Sequence, residues 1–167
     1  MKRLALILCF LGIVLVTAWV ARPTVGAPGG TSDETKILRF QTMVGVQPPY
    51  TGAANRIRGV PGGGAPWDIA DAKGELRADG EIDIKVRGLV LTRTGANPVP
   101  NFRAIVSCLS TDENGLPVTV NVQTGLFPAD ENGDCLIADQ VDLPDPCIAP
   151  IVFVTSPTGS WFAATGF

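Results

Sequence analysis

The chain has 167 residues, a net charge of −3 and no histidine. Lacking histidine, it has no Ser-His or Cys-His nucleophile pair, no imidazole metal ligand and no side chain that ordinarily titrates near neutrality. Basic residues are outnumbered and scattered, which argues against nucleic acid and against a polybasic lipid-binding patch.

Met1-Lys2-Arg3 is a basic start, and Leu4 to Val20 is apolar apart from Thr17. Arg22-Pro23 and the small residues after them end the run. Residues 1–27 have the layout of a secretory signal peptide. The apolar run approaches the lower limit for a spanning helix, so the competing reading is an uncleaved anchor through residues 4–20. Under either reading the remainder is expected to be secreted or extracytoplasmic, touching a membrane only if the leader stays. Cleavage removes Lys2, Arg3 and Arg22, leaving 10 basic residues against 16 acidic ones, a net charge of −6. Residues 28–35 are small and polar and read as a flexible stalk. Residues 36–167 form the expected domain.

Lys36 to Val46 reads as the first strand, ended by Pro48-Pro49-Tyr50. Asn55 to Val60 is a candidate short strand. Pro61-Gly62-Gly63-Gly64-Ala65-Pro66 is the least ordinary loop of the chain, and Trp67 follows it. Ala78-Asp79-Gly80 is a turn signal between two strand arms. After it, Ile82, Ile84 and Val86 alternate with Glu81, Asp83, Lys85 and Arg87, the period of a strand with one buried face. Leu89-Val90-Leu91 is wholly apolar, so the strand is expected to run on into a covered, central position.

Phe102 to Leu109 predicts a strand with Phe102, Ala104, Val106 and Cys108 on one face. Pro117 to Thr124 predicts another, with Val118, Val120 and Val122 inward. Cys135 to Val141, Ile151 to Thr155 and Trp161 to Phe167 complete the series, with Ile151–Thr155 apolar enough to be central. Asp-Glu-Asn-Gly occurs at 112–115 and again at 130–133, and reads as a reused hairpin turn. With 19 glycines and 14 prolines spread along the chain, short strands and tight turns are favoured over helices. The expected fold is therefore all-β: a two-layer antiparallel β-sandwich, Ig-like or jelly-roll-like, of about eight to ten strands. A membrane barrel ending on Phe167 is disfavoured, because Thr165, Ala163 and Trp161 do not make an apolar row.

Beyond the leader, the cysteines are Cys108, Cys135 and Cys147. In an oxidising compartment two are expected to pair. Cys108–Cys147 closes the longest loop and is the favoured disulfide; Cys135–Cys147 is its rival. Asp130, Asn132 and Asp134 place oxygen ligands at alternate positions, as a calcium loop does, although Cys135 and Val141 stand where an EF-hand has glycine and glutamate. Calcium is the one cofactor this pattern suggests. Trp67 is a candidate stacking platform beside the glycine loop, or else a core lid; Tyr50 and Trp161 offer similar surfaces. Asp68, Asp71, Glu75 and Glu81 are close enough in sequence to suggest paired carboxylates.

The expected function is that of an exported, non-enzymatic module with a binding or structural role in the cell envelope or outside the cell. Its partner would be a protein or glycan. A carboxylate-based saccharide hydrolase and a calcium- or small-ligand-binding module are the alternatives.

Overall fold

The computed structural model describes residues 36–165. The expected leader and stalk lie outside the described residues, as do Gly166 and Phe167. Among the described residues there are twelve strands and no helix, so no helix there is long and apolar enough to cross a membrane. Every strand pairing is antiparallel, and the two larger sheets are open rather than closed into a barrel.

The first sheet contains β1 (Lys36–Phe40), β4 (Asp71–Arg77), β5 (Glu81–Arg87) and β10 (Cys135–Gln140), in the order β1-β4-β5-β10. The expected hairpin is present: β4 and β5 pair, and Gly80 donates its N–H to the Arg77 carbonyl. Ile82, Ile84 and Val86 are buried as their alternation requires. Each such side chain contributes about 1.5–3 kcal/mol on burial. On the wet face, Glu75 meets both Lys36 and Arg77 at 3.0 Å, and Arg77 also pairs with Glu81.

β5 does not continue into Leu89–Leu91. Gly88 has φ +63°, a left-handed conformation that turns the chain, and a Cβ there would stand 2.7 Å from that of Ala70. Its N–H bonds to Asp134 Oδ1 at 2.9 Å. The apolar run instead forms β6 (Val90–Leu91), which pairs with β3 (Trp67–Asp68) in a separate small sheet.

The six-stranded sheet holds β2 (Met43–Gly45), β12 (Trp161–Thr165), β11 (Ile148–Thr155), β7 (Asn101–Thr111) and β8 (Pro117–Gln123) in the order β2-β12-β11-β7-β8. β9 (Phe127–Pro128) pairs with β7 beside β8. Two sequence expectations change here. The first predicted strand is broken at Gln41-Thr42 into β1 and β2, which belong to different sheets. Asn55–Val60 contributes only an isolated bridge between Ile57 and Val60. β11 is interior as expected, with Val152, Phe153, Val154 and Thr155 all buried.

β8 alternates as predicted and sets its valines on the core face, opposite Val106, Cys108 and Ser110 of β7, but packs only Val122 of the three against the core. It is the last strand of its sheet, so Val118 is exposed and Val120 and Val122 are half-buried. Alternation reports which residues share a face; it does not report what covers that face.

Leu76, Ile82, Ile84, Val86 and Ile137 of the first sheet join Phe102, Ala104, Val106, Val152, Val154 and Phe162 of the second in one hydrophobic core. Cys108 and Cys147 form a disulfide across 39 residues of sequence, and Cys135 is free and buried. The rival pairing Cys135–Cys147 is thus corrected. Cys135 lies opposite Val86 on β5, with its thiol turned into the core and toward the Phe127 carbonyl.

Candidate functional site

β12 begins with two aromatic residues, and adjacent residues of a strand face opposite ways. Phe162 turns toward the shared core and Trp161 toward the outer face of the six-stranded sheet, where it meets Phe153 at a centroid distance of 5.9 Å. Val44, Ala164, Phe153 and Ile105 lie in register across four strands on that outer face. An apolar row of this kind needs a cover, and the chain from Gln47 to Pro66 supplies it.

The covering segment is tied down by side-chain bonds and by a parallel bridge between Gly62 and Trp161 of β12. Arg58 Nη1 donates to the Ser107 carbonyl at 2.9 Å, and Asn121 Nδ2 donates to the Arg58 carbonyl at 3.0 Å. Trp161 donates its N–H to the Pro61 carbonyl, and Gly63 donates to the Trp161 carbonyl, each at 2.8 Å. Gly62 lies so close to this crossing that a Cβ on it would stand within 1.9 Å of the Tyr50 carbonyl oxygen.

Cover and sheet do not meet completely. Between them is a cleft of about 640 Å³ lined chiefly by Val44, Pro48, Tyr50, Ile57, Phe153 and Trp161, within the ordinary range for small-ligand pockets. Tyr50 is 45 % exposed, whereas Trp161 is 4 % exposed. The Trp161 Nε1 donor is buried with no hydrogen-bond partner, as is the Ser107 hydroxyl on the same sheet face. Arg58, which ties the cover to Ser107, is in the left-handed region at φ +49°.

Among the sequence candidates, Tyr50 and Trp161 come together at this cleft. Trp67 does not. It is 3 % exposed, stacked on Phe162 and edge-on to Phe102, so its ring is already occupied and offers no platform to an outside ligand. The glycine loop passes over it, with Gly63 against Phe162 and Trp67.

The two Asp-Glu-Asn-Gly segments adopt the same turn. Asp112 Oδ1 accepts from the N–H groups of Asn114 and Leu116, and Asp130 Oδ1 accepts from those of Asn132 and Asp134, all at 2.9 Å. The final glycines have φ +76° and +77°. The two Leu116 and Asn114 N–H groups hold the Asp112 carboxyl below its ordinary range, the Leu116 bond acting most strongly. Asp130 and Asp134 each accept backbone N–H groups, Asp134 from Gly88. Among the described residues no group of three or more His, Cys, Asp or Glu is placed to hold a metal ion.

Of the suggested carboxylates, two come together, but at a shared arginine rather than at the cleft. Glu75 and Glu81 both bind Arg77, while Asp68 Oδ1 accepts from Gln47 Nε2 at 3.3 Å. In the sequence Tyr50 and Trp161 stand only as surfaces similar to Trp67, and the ligand cradle is expected at the glycine loop. The signal absent from the sequence was that Trp161 and Tyr50, more than a hundred residues apart, share one face. The chain matches no protein-family model, no curated protein and no solved structure.

Proposed function

We propose that the chain is an exported two-layer β-sandwich acting as a non-enzymatic binding module, and that its cleft takes a small, largely apolar ligand bearing a hydrogen-bond acceptor. The observation that carries this reading is Trp161, which lines the cleft and keeps an unpartnered, buried Nε1 donor. A buried donor left unpaired costs about 1–3 kcal/mol; the Nε1 atom is closed to solvent, so a ligand's acceptor recovers that cost as the indole turns to meet it. Apolar walls with very few polar groups favour an apolar molecule over a glycan, whose hydroxyls would go unmatched.

Export is supported by the leader pattern and by the Cys108–Cys147 disulfide, since disulfides persist in oxidising compartments. The non-catalytic reading is supported by the absence of histidine and by the dispersal of the acidic residues among ion pairs and turn caps. The engaged oxygens of Asp130 and Asp134 favour a turn over a calcium loop.

The test is a thermal-shift titration with a medium-chain alkyl amide and with the alkane of equal length. The amide raises the melting temperature more than the alkane does. Trp161→Phe weakens amide binding about three- to tenfold, the worth of one hydrogen bond, and leaves the alkane unaffected. No shift with either probe, or an amide preference that survives Trp161→Phe, overturns the reading.

A further inference from the structure

Sheet edges expose unpaired N–H and C=O groups, and proteins blunt them with charges, prolines, short strands or a covering segment. Among the described residues, three of the four outer strands of the two larger sheets are handled in this way. β2 is only three residues long, and the Val46 carbonyl just beyond it is taken by the Trp67 N–H. β10 lies beside the segment 125–129, with Gly125 donating to Asp139 Oδ2 at 2.7 Å and Ala129 bridging to Cys135. β1 carries Lys36 and Arg39. Among the described residues β8 has a proline at its first position and is met on its face by the covering segment, where Asn121 Nδ2 bonds the Arg58 carbonyl, but has nothing paired with its free edge. It is seven residues long, uncharged, regular in its register with β7, and on its other side bonded to no backbone group among the described residues.

Its sequence is also symmetric. Pro117-Val118-Thr119-Val120-Asn121-Val122-Gln123 has a valine at its centre, a small polar residue on either side, and valines outside those. Laid antiparallel against a second copy about Val120, Val118 faces Val122 of the other copy and Val120 faces itself. Thr119 then faces Asn121. One face of the joined strands is a continuous valine row and the other is polar. A two-fold interface must be self-complementary, and this register is.

Charge points the same way. The chain is net acidic, so two copies repel each other overall. β8 carries no charge, and its nearest acids, Asp112 and Glu113, lie beyond Pro117. In the paired register the two Pro117 residues stand roughly 20 Å apart, more than twice the screening length of about 8 Å at physiological salt. Val118, at 37 % exposed, is the apolar surface that pairing would cover.

We propose that β8 is a self-association edge, through which two copies of this chain join their six-stranded sheets into one antiparallel sheet. The inference stands apart from the cleft, which lies at the β2 and β12 side of the sheet.

The experiment is sedimentation velocity over a concentration series with the full protein, alongside amide exchange of residues 118–122. The wild type is a dimer whose β8 exchange slows as concentration rises. Val118→Lys, which sets a lysine against Val122 of the other copy, is a monomer, and Leu136→Lys on exposed β10 remains a dimer. A wild type that stays monomeric at roughly 100 µM, where even weak association is populated, overturns the proposal independently of whether Val118→Lys folds. A dimer that survives in folded Val118→Lys, or that leaves β8 exchange unchanged, overturns it equally.

Discussion

The ring of Trp67 lies on that of Phe162 at a centroid separation of 3.9 Å and an interplanar angle of 19°. Phe102 meets both rings edge-on, at 6.5 and 5.8 Å. This cluster joins the end of the glycine loop to the core face of β12, and the next residue back, Trp161, is thereby turned toward the cleft. Trp67→Ala removes a fully packed indole and is expected to destabilise the fold by about 3–5 kcal/mol. Tyr50→Ala, at an exposed rim, is expected to change stability by less than about 1 kcal/mol. Urea denaturation of the two variants checks the contrast; equal effects would mean that the assigned positions are wrong.

Gly62 is the point where the cover crosses β12. Gly62→Ala forces a methyl group against the Tyr50 carbonyl, and backbone must move to admit it. The expected cost is about 1–3 kcal/mol, as for other overpacked sites. The segment that moves lines the cleft, so ligand affinity falls as well. Gly64→Ala, where a Cβ meets nothing within 4 Å, is the control and leaves both unchanged.

Reduction of Cys108–Cys147 releases a loop of 39 residues of separation. The chain-entropy relation puts the loss at about 4 kcal/mol. Denaturant midpoints with and without reductant measure it. Cys135→Ala, which touches no disulfide, shifts the oxidised midpoint by the loss of a small buried side chain only.

Burial, with a smaller contribution from the charge of Asp130, pushes the Cys135 thiol up to about 11. Because folding raises this pKa, the native state holds its proton more tightly than the unfolded chain does. That contribution is complete below the ordinary thiol pKa and is lost as pH rises from about 9 through about 11. Stability is therefore expected to fall with pH across that window, and less steeply in Cys135→Ala. In the native protein at pH 8 the thiolate fraction is lowered about a hundredfold, so alkylation of Cys135 is slow until the chain unfolds. Rapid labelling of the folded protein would contradict the burial of this residue.

Lys36 and then Arg77 hold the Glu75 carboxyl below its ordinary range against the opposing effect of desolvation. Its contribution to stability is present above the ordinary carboxyl pKa and declines as pH falls through the lowered value. A carboxyl titration followed by NMR is expected to find Glu75 titrating below an unpaired exposed glutamate, and Lys36→Met to move it back up.

Much of the architecture is legible in the residues. The alternation of Ile82, Ile84 and Val86 placed their face correctly, and so did that of Phe102, Ala104, Val106 and Cys108. The apolar run at Ile151 to Thr155 identified an interior strand. Failures came where a long-range contact or a single backbone angle decides the outcome. Leu89–Leu91 looked like more of β5 until the left-handed angle at Gly88 turned it aside. Val118, Val120 and Val122 share a face as expected, but among the described residues β8 is the last strand of its sheet, so burial fades from Val122 to the exposed Val118. Trp67 and Trp161 are indistinguishable by composition. What separates them is the docking of a segment held by Arg58 and Asn121, contacts spanning 49 and 63 residues that no local pattern encodes.

The most direct test of the cleft is the indole N–H resonance of Trp161, followed by NMR as the alkyl amide is added. The account predicts a saturable downfield shift of that proton, as its Nε1 gains an acceptor, while the Trp67 indole is little changed. A Trp161 resonance that does not move while the amide binds would show that the unpartnered donor is not the recognition point.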